Sequence, residues 1–558
     1  MSKLEESPCE EVMQREVFQK PKPMKRIVPL RRNNLTSNPT YNSIQHGLDQ
    51  NSLDNPDLGP FLLKLARSLI ASGDNPYKAL ECASRAAKSF ERCCEGKPSL
   101  EFVMSLHILA AIHCSLGQYE EAVPVLESSI RVPVVDEGPE HALAAFAGNM
   151  QLGDTYAMLG RIGDSLECYH KGLEIQKQVL GDMDPRVGET CRYLAEAHVQ
   201  AMQFMEGEKL CQHALEIHRL HSATASLEEA ADKRLMALIC EGKGDYEAAL
   251  DNLVLASMAL MSHGEEVEVA FVDCSIGDIY LALGRYDEAV FAYQKALTVL
   301  KSTKGENHPS VAEVFVRLAN LYCKTGKLRE ATTFCESALR IYEKPSWGSS
   351  PHDVASGLTE IAVIYEAMNE PDEALALLHK ALKTLGDTSR QHSVIAGIEA
   401  QIGVIYYILG KHGDSRASLK NAIVKLRASG EKKSAFFALV LNQMGLACVQ
   451  CYAINEAADL FEEAKLILEE VCGPYHPDTL EVCSNLAGTY DAMGRLEDAI
   501  GVLEHVVGIR EEQIGTANAD AELEKQRLTE LLKEAARDRN WKAKSLQSLI
   551  VSTSKNKK

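Results

Sequence analysis

A small residue recurs at near-equal intervals along most of the 558-residue chain, and similar neighbours surround each copy. Successive copies lie 40 to 43 residues apart. Ordinary loops would accumulate insertions and make these gaps unequal, so the spacing predicts one structural unit copied ten times. We call the recurring positions anchors, and they are Ala110, Gly153, Ala195, Ala237, Gly277, Ala319, Ala362, Gly403, Gly445 and Ala487.

The residues around each anchor predict a pair of antiparallel helices. A second small residue follows twelve positions later, as Ala289 follows Gly277, and would allow the two helices to approach closely. Glycine often stands seven positions after the anchor, where its left-handed conformation would end the first helix. A bulky residue three positions after the anchor, such as Tyr280 or Tyr322, is expected to fill the core between the helices. A degenerate eleventh copy is predicted near Ala66.

This is the tetratricopeptide pattern, lengthened from about 34 to 42 residues. The predicted fold is all-α, a right-handed superhelical solenoid of about ten to eleven helix pairs. We expect a disordered, proline-containing tail with a basic cluster over 1–57 and the repeat array over 58–516. A basic capping helix is expected over 517–551, followed by a disordered tail over 552–558.

Charge is distributed unevenly along the chain. The formal net charge is −20, yet residues 525–558 carry ten Lys/Arg against three Asp/Glu. An acidic array disfavours nucleic acid as a partner. The basic ends admit two interpretations, a solvated tail or docking to an acidic microtubule or lipid surface. The residues expected to dock are Lys20, Lys22, Lys25, Arg26, Arg31, Arg32, Lys542 and Lys544.

Candidate chemical sites are weak, so we predict no catalytic, cofactor or metal site. Cys448 and Cys451 form one CxxC within a predicted first helix, without a second pair or a nearby His, which favours structural cysteines. His213, His218 and His221 cluster near a helix end, but only the last two share a face. No nucleotide-binding or hydrolase motif is present.

The sequence also gives expectations about the compartment. The charged N-terminus contains no secretory h-region, and no apolar run is long enough to span a membrane. The sixteen cysteines are therefore expected to be mostly reduced, and the cytoplasm is the expected compartment, with peripheral membrane association left open.

Three connections between repeats share glycine, two further residues, His or Asp, and then proline. They are residues 181–185, 305–309 and 473–477. Together with the 42-residue unit, they resemble the kinesin light chain repeat. Residues 1–57 contain no sustained heptads, so the N-terminal coiled coil that binds the motor in animal kinesin light chains is not predicted. Whether kinesin is a partner stays open.

The chain is more similar to the plant kinesin light chain-related proteins, also called cellulose synthase–microtubule uncoupling proteins. Its C-terminal runs 524–535 and 542–550 are similar to the ending of that group. The resemblance implies a scaffold at cortical microtubules that binds calmodulin-binding IQ-domain proteins and links microtubules to the plasma membrane. A regulatory or cargo-adaptor repeat protein without direct microtubule binding is the alternative.

First helices are expected to line a concave groove that holds a partner peptide or helix. Counting three positions back from the anchors selects Arg192, Arg234 and Asn442, and counting one forward selects Asp278 and Asn320. We predict these five as partner-binding residues, with the asparagines bonding a peptide backbone. The alternative that each is simply solvated stays open.

Overall fold

The computed structural model describes residues 57–72, 75–93, 99–159, 161–344, 351–386, 392–428, 432–514 and 524–536. They form two compact units, the first over 57–344 and the second over 351–536. Within these ranges every regular element is a helix, and successive helices pair. The prediction of an all-α chain of repeated helix pairs is confirmed.

Helices of the first unit alternate between the first and second members of a pair, and neighbouring first helices also contact each other from one repeat to the next. A short 3-10 helix, Val135–Glu137, precedes the third pair. The α-helices are α1 Leu58–Ser72, α2 Pro76–Cys93, α3 Leu100–Ser115, α4 Tyr119–Arg131, α5 Pro139–Met158, α6 Ile162–Leu180, α7 Pro185–Gln200, α8 Phe204–His221, α9 Leu227–Gly242, α10 Tyr246–Ser262, α11 Glu266–Ala282, α12 Tyr286–Lys304, α13 Pro309–Lys324 and α14 Leu328–Glu343.

The second unit follows the same plan and ends with one additional helix. Its helices are α15 Pro351–Ala367, α16 Pro371–Leu385, α17 His392–Ile408, α18 His412–Ala428, α19 Ala435–Gln450, α20 Ile454–Val471, α21 Pro477–Ala492, α22 Leu496–Ile514 and α23 524–536.

All ten anchors are buried where the two helices of a pair cross. The residue sixteen positions after each glycine anchor packs against it. A Cβ atom on Gly277 would overlap the ring of Tyr293, which is 0% exposed, and Gly445 is filled in the same way by Phe461. Anchors that are alanine face a smaller side chain, as Ala237 faces Leu253. In three repeats a glycine anchor therefore makes room for an aromatic ring, so volume is exchanged between the two positions, whereas Gly403 faces Leu419.

The turn inside each pair explains the recurring glycine. Gly284, seven positions after its anchor, has φ +71°, and glycine in most other repeats adopts the same left-handed conformation. Three repeats place Met202, Asn369 and Tyr452 there with φ between 57° and 64°. The turn geometry is therefore imposed by the helix pair, and glycine adopts it without the strain that a side chain brings.

The connections between pairs begin helices as the motif predicts. Pro185, Pro309 and Pro477 occupy first-turn positions, and the preceding residue caps each helix. Asp184 accepts a hydrogen bond from the Arg186 amide, and His308 accepts one from the Ser310 amide at 3.2 Å. The capping histidine therefore acts through the neutral ring nitrogen Nδ1.

The tyrosines three positions after the anchors fill the core only in part. Tyr156 and Tyr490 are 8% exposed, whereas Tyr280, Tyr322, Tyr365 and Tyr406 are half-buried. A cation five residues later covers several of these rings, as the Arg495 guanidinium lies 4.1 Å from the centre of Tyr490. These rings therefore pack between the helices with one face and support a cation at the turn with the other, a contact that was not predicted.

The helix α23 packs against the last pair. Leu531 and Ala535 are buried with Ala487 and Leu503, whereas Leu532 is exposed. Glu524 contacts Arg510 at 3.3 Å. Through these contacts α23 covers α21, the first helix of the last pair, as the first helix of a following repeat would. The expected helix over 517–551 extends beyond the described residues on both sides, and both predicted tails lie outside them.

Candidate protein-binding surface

One row of side chains follows the first helices of the first unit. Its members stand one position after the anchors, and each is at least partly exposed. We call this set the first-helix row, and it consists of Asp154, Glu196, Leu238, Asp278 and Asn320. At Asp154 and Asp278 the row contacts both the second helix of the same pair and the following first helix. Leu238, which the sequence analysis omitted, is 52% exposed.

Asp278 is positioned by two neighbours from different repeats. Its carboxylate accepts a hydrogen bond from the Tyr293 hydroxyl at 2.7 Å and pairs with Arg317 of the following first helix at 3.2 Å. Burial, together with the charge of Asp278, raises the pKa of Tyr293, so its hydroxyl stays protonated and donates. Asp278 therefore ties one repeat to the next while keeping part of its surface exposed.

Asp154 repeats this arrangement closer to the N-terminus. Tyr169 donates to it at 2.8 Å, and Tyr193 of the following first helix donates to it as well. Tyr169 and Tyr293 stand at the same repeat position, as do Tyr193 and Arg317. The two aspartates in the row thus have one structural role in common, which sequence periodicity could have found.

The two predicted arginines have different surroundings. Arg234 is 41% exposed and pairs with the similarly exposed Glu268 at 2.8 Å, so it remains accessible. Arg192 is 21% exposed and its guanidinium lies 3.6 Å from Asp232, which has no exposed surface. Removing Arg192 would therefore disturb a buried carboxylate. Only Arg234 is suited to a binding test that leaves the fold unchanged.

Asn442 lies inside the protein and does not line a surface. It is 0% exposed, and its side-chain oxygen accepts a hydrogen bond from Asn485 of the next first helix at 3.0 Å. Cys274, Val316 and Thr359, which also stand three positions before their anchors, are buried as well. Three positions before the anchor, the side chain points at the neighbouring repeat, so Asn442 is unavailable to a peptide. Asn320 is half-exposed and remains available.

The histidines at the end of α8 have separate partners. His213 lies 3.3 Å from Asp182, His218 is 2.6 Å from the buried Asp232, and His221 contacts the Ile217 carbonyl. Among the described residues, no group of three or more His, Cys, Asp or Glu side chains could hold a metal ion. The cluster seen in the sequence is therefore three structural contacts.

The cysteines of the CxxC motif are free thiols, and Cys448 is buried within α19. Burial, with a contribution from Glu456, raises the pKa of Cys448 to about 11. A protonated thiol is a poor nucleophile and a poor metal ligand. Cys211 and Cys335, each sixteen positions after an anchor, are also fully buried.

Two other predictions concern regions beyond this surface. The basic docking residues, Lys20 to Arg32 with Lys542 and Lys544, lie outside the described residues. Within the described part, no helix combines the length and apolarity that crossing a membrane requires.

Comparison with known proteins agrees with the repeat architecture. Tetratricopeptide repeat family models match residues 105–139, 150–186, 268–344, 354–385 and 436–512. A solved structure of a Podosopora anserina putative kinesin light chain with nearly identical TPR-like repeats is 22% identical. The match covers 38% of this chain and 99% of that one, with a TM-score of 0.34.

Two relatives from Arabidopsis thaliana match nearly the whole chain. Protein KINESIN LIGHT CHAIN-RELATED 1 is 61% identical, covering 90% of this chain and 84% of the relative. Protein KINESIN LIGHT CHAIN-RELATED 3 is 60% identical, covering 91% and 78%. Because this identity extends over about 90% of the chain, the chain belongs to the kinesin light chain-related family of tetratricopeptide repeat proteins.

Proposed function

We propose that this protein is a non-catalytic scaffold that binds partner polypeptides along the first-helix row. The observation that carries the proposal is the row itself, which presents exposed side chains at one register over five successive repeats of the first unit. Stacked helix pairs of this kind provide extended surfaces that suit a peptide or a helix.

The chemistry of the row supports recognition of a polypeptide. Asn320 offers an amide that can donate to and accept from a peptide backbone, and Leu238 offers an apolar contact. Arg234 lies next to the row and supplies a cation that can pair with a carboxylate. Asp278 is held in place by Tyr293 and Arg317, so binding to it costs little side-chain entropy.

We further propose that the protein works in the cytoplasm at cortical microtubules. The family resemblance supports attachment of microtubules to the plasma membrane and engagement of calmodulin-binding IQ-domain proteins. The basic residues near both ends of the chain suit the acidic surface of a microtubule. In this proposal the ends attach the protein and the repeats hold its partners.

Salt-sensitive binding to microtubules is the expected result for the full-length chain. The variant to compare replaces Lys20, Lys22, Lys25, Arg26, Arg31, Arg32, Lys542 and Lys544 by glutamine. We expect it to lose about tenfold in affinity at low salt, because opposite charges attract most strongly when ions do not screen them. Cosedimentation with stabilised microtubules over a range of salt concentrations measures this.

A control variant replaces eight surface lysines and arginines of the array by glutamine and keeps both ends, so that it changes the net charge equally. Equal pelleting of the native chain and the end-substituted variant would contradict attachment through the ends. If the native chain does not pellet at all, the regulatory or cargo-adaptor alternative is favoured, because that alternative requires no contact with the microtubule.

A further inference from the structure

The second helix α10 exposes four apolar side chains at a register where the neighbouring second helices carry polar ones. Val254, Leu255, Met258 and Met261 are 44%, 49%, 62% and 52% exposed. Their spacing places them along one side of the helix. The same register in the preceding second helix carries Gln212, His213, Glu216 and Arg219, and in the following one Gln294, Lys295, Thr298 and Lys301.

Acidic residues stand at both ends of this apolar stretch. Glu247 and Asp251 precede it on the same side of the helix, and Glu265 and Glu266 follow it. The Glu265 amide donates to the Leu260 carbonyl at 3.1 Å, which holds Glu265 next to the helix end. All four side chains are exposed, and none forms an ion pair with a described residue. Lys233 of α9 donates to Asn252 of α10 at 3.1 Å.

We infer that this surface, which we call the α10 patch, binds an amphipathic helix of a partner protein. The partner helix carries apolar residues spaced over two to three turns and Lys or Arg beyond both ends. The apolar side chains would bury the exposed methionines, Val254 and Leu255, and the basic ends would meet the four free carboxylates. The patch lies on a second helix and is separate from the first-helix row.

The charges disfavour the simplest other occupant, a second copy of the chain that docks through its own α10. In an antiparallel pair of α10 helices, Glu247 and Asp251 would face Glu265 and Glu266 of the copy, and in a parallel pair each acid would face itself. Like charges brought together at an interface are repelled. Anionic lipid is disfavoured for the same reason. A basic helix is the occupant that satisfies both the apolar centre and the acidic ends.

The test uses a labelled synthetic peptide of about 20 residues, with leucines at i, i+4, i+7 and i+11 and three lysines at each end. Fluorescence anisotropy measures its binding to the full chain, and hydrogen exchange locates it. We expect binding that protects residues 246–262. A peptide of the same composition with its apolar residues scattered should bind about tenfold more weakly.

Two variants separate the apolar and charged contributions. Val254→Gln with Met258→Thr copies Gln294 and Thr298 of the following repeat, so the fold and the net charge are kept. It should weaken peptide binding about tenfold. Asp251→Asn with Glu265→Gln should weaken binding and reduce its dependence on salt. These two carboxylates are chosen because Glu247 and Glu266 also lie in helix first turns, where acids stabilise the helix.

Val424→Thr is the matched control, because Val424 stands at the register of Met258 in the second unit and is 59% exposed. It should leave peptide affinity unchanged. Failure of the native chain to bind the peptide would overturn the inference, and so would equal affinity of the native chain and the Val254→Gln, Met258→Thr variant. A dimer in solution that this variant dissociates would overturn it in favour of a second copy.

Discussion

Replacing His218 by leucine is expected to lower the free energy of unfolding by about 3–5 kcal/mol, because it removes the hydrogen-bond partner of the buried Asp232 carboxylate. His218 is 2% exposed and its Nδ1 lies 2.6 Å from Asp232, whose side chain has no exposed surface. The Arg192 guanidinium is 3.6 Å from this carboxylate and makes no hydrogen bond with it. Hydrogen exchange in α8 and α9 measures the loss, since repeat arrays unfold locally.

Other repeats supply the compensating change. At the positions equivalent to His218 and Asp232, two other repeats have Leu300 with Val314 and Leu468 with Val482. The double variant His218→Leu, Asp232→Val copies this apolar pair and should return to within about 1 kcal/mol of the native stability, because no buried charge remains. A double variant as unstable as His218→Leu alone would show that the pair is not the source of the loss.

Replacing Gly277 by alanine should lower the free energy of unfolding by about 2 kcal/mol. Alanine normally stabilises a helix interior by about 1 kcal/mol relative to glycine. Here the added methyl overlaps the ring of Tyr293, which is fully buried and bonded to Asp278. Overpacking costs about 1–3 kcal/mol, and the buried ring cannot move aside without breaking that bond. Chemical denaturation with hydrogen exchange in α11 and α12 measures the change.

Gly163→Ala is the control, because Gly163 is also helical but no atom lies within 4 Å of the added Cβ. That change should be neutral or stabilising. Adding Tyr293→Leu to Gly277→Ala copies the Ala237–Leu253 pair, so the two changes should couple favourably by at least about 1 kcal/mol. If the double variant instead lost the sum of the stabilities that the two single variants lose, the exchange of volume between the anchor and the residue sixteen positions later would be contradicted.

The sequence predicted what depends on spacing along the chain. Anchor periodicity located the helix pairs, and the glycine–proline connections located the helix starts at Pro185, Pro309 and Pro477. These features are local, because a cap or a turn is formed by residues within a few positions of one another. The left-handed turns at Met202 and Tyr452 were missed, because neither residue favours that conformation by itself.

Predictions that depend on contacts between repeats were less accurate. The register three positions before the anchor was expected to face a groove, yet Asn442 bonds Asn485 inside the protein. Which side of a helix is exposed depends on how neighbouring helices are rotated, and spacing within one helix does not give that angle. His218 was grouped with nearby histidines, whereas its partner, Asp232, lies in the next repeat. Comparing the positions equivalent to His218 and Asp232 across all repeats would have found this pair, because most other repeats have apolar residues at both positions.

Site-specific photo-crosslinking tests the proposed scaffold function most directly. A photoreactive amino acid is placed in the full chain at Leu238 or Asn320 on the first-helix row. The controls are Gln178 and Thr333, which are exposed on second helices that do not adjoin α10. Each chain is irradiated in plant extract and its crosslinked polypeptides are identified. We predict that the same discrete polypeptides crosslink at Leu238 and Asn320, are reduced by the Arg234→Ala change, and are absent at the controls. Crosslinking at the control positions alone, or equally at all four, would contradict partner binding along the first-helix row.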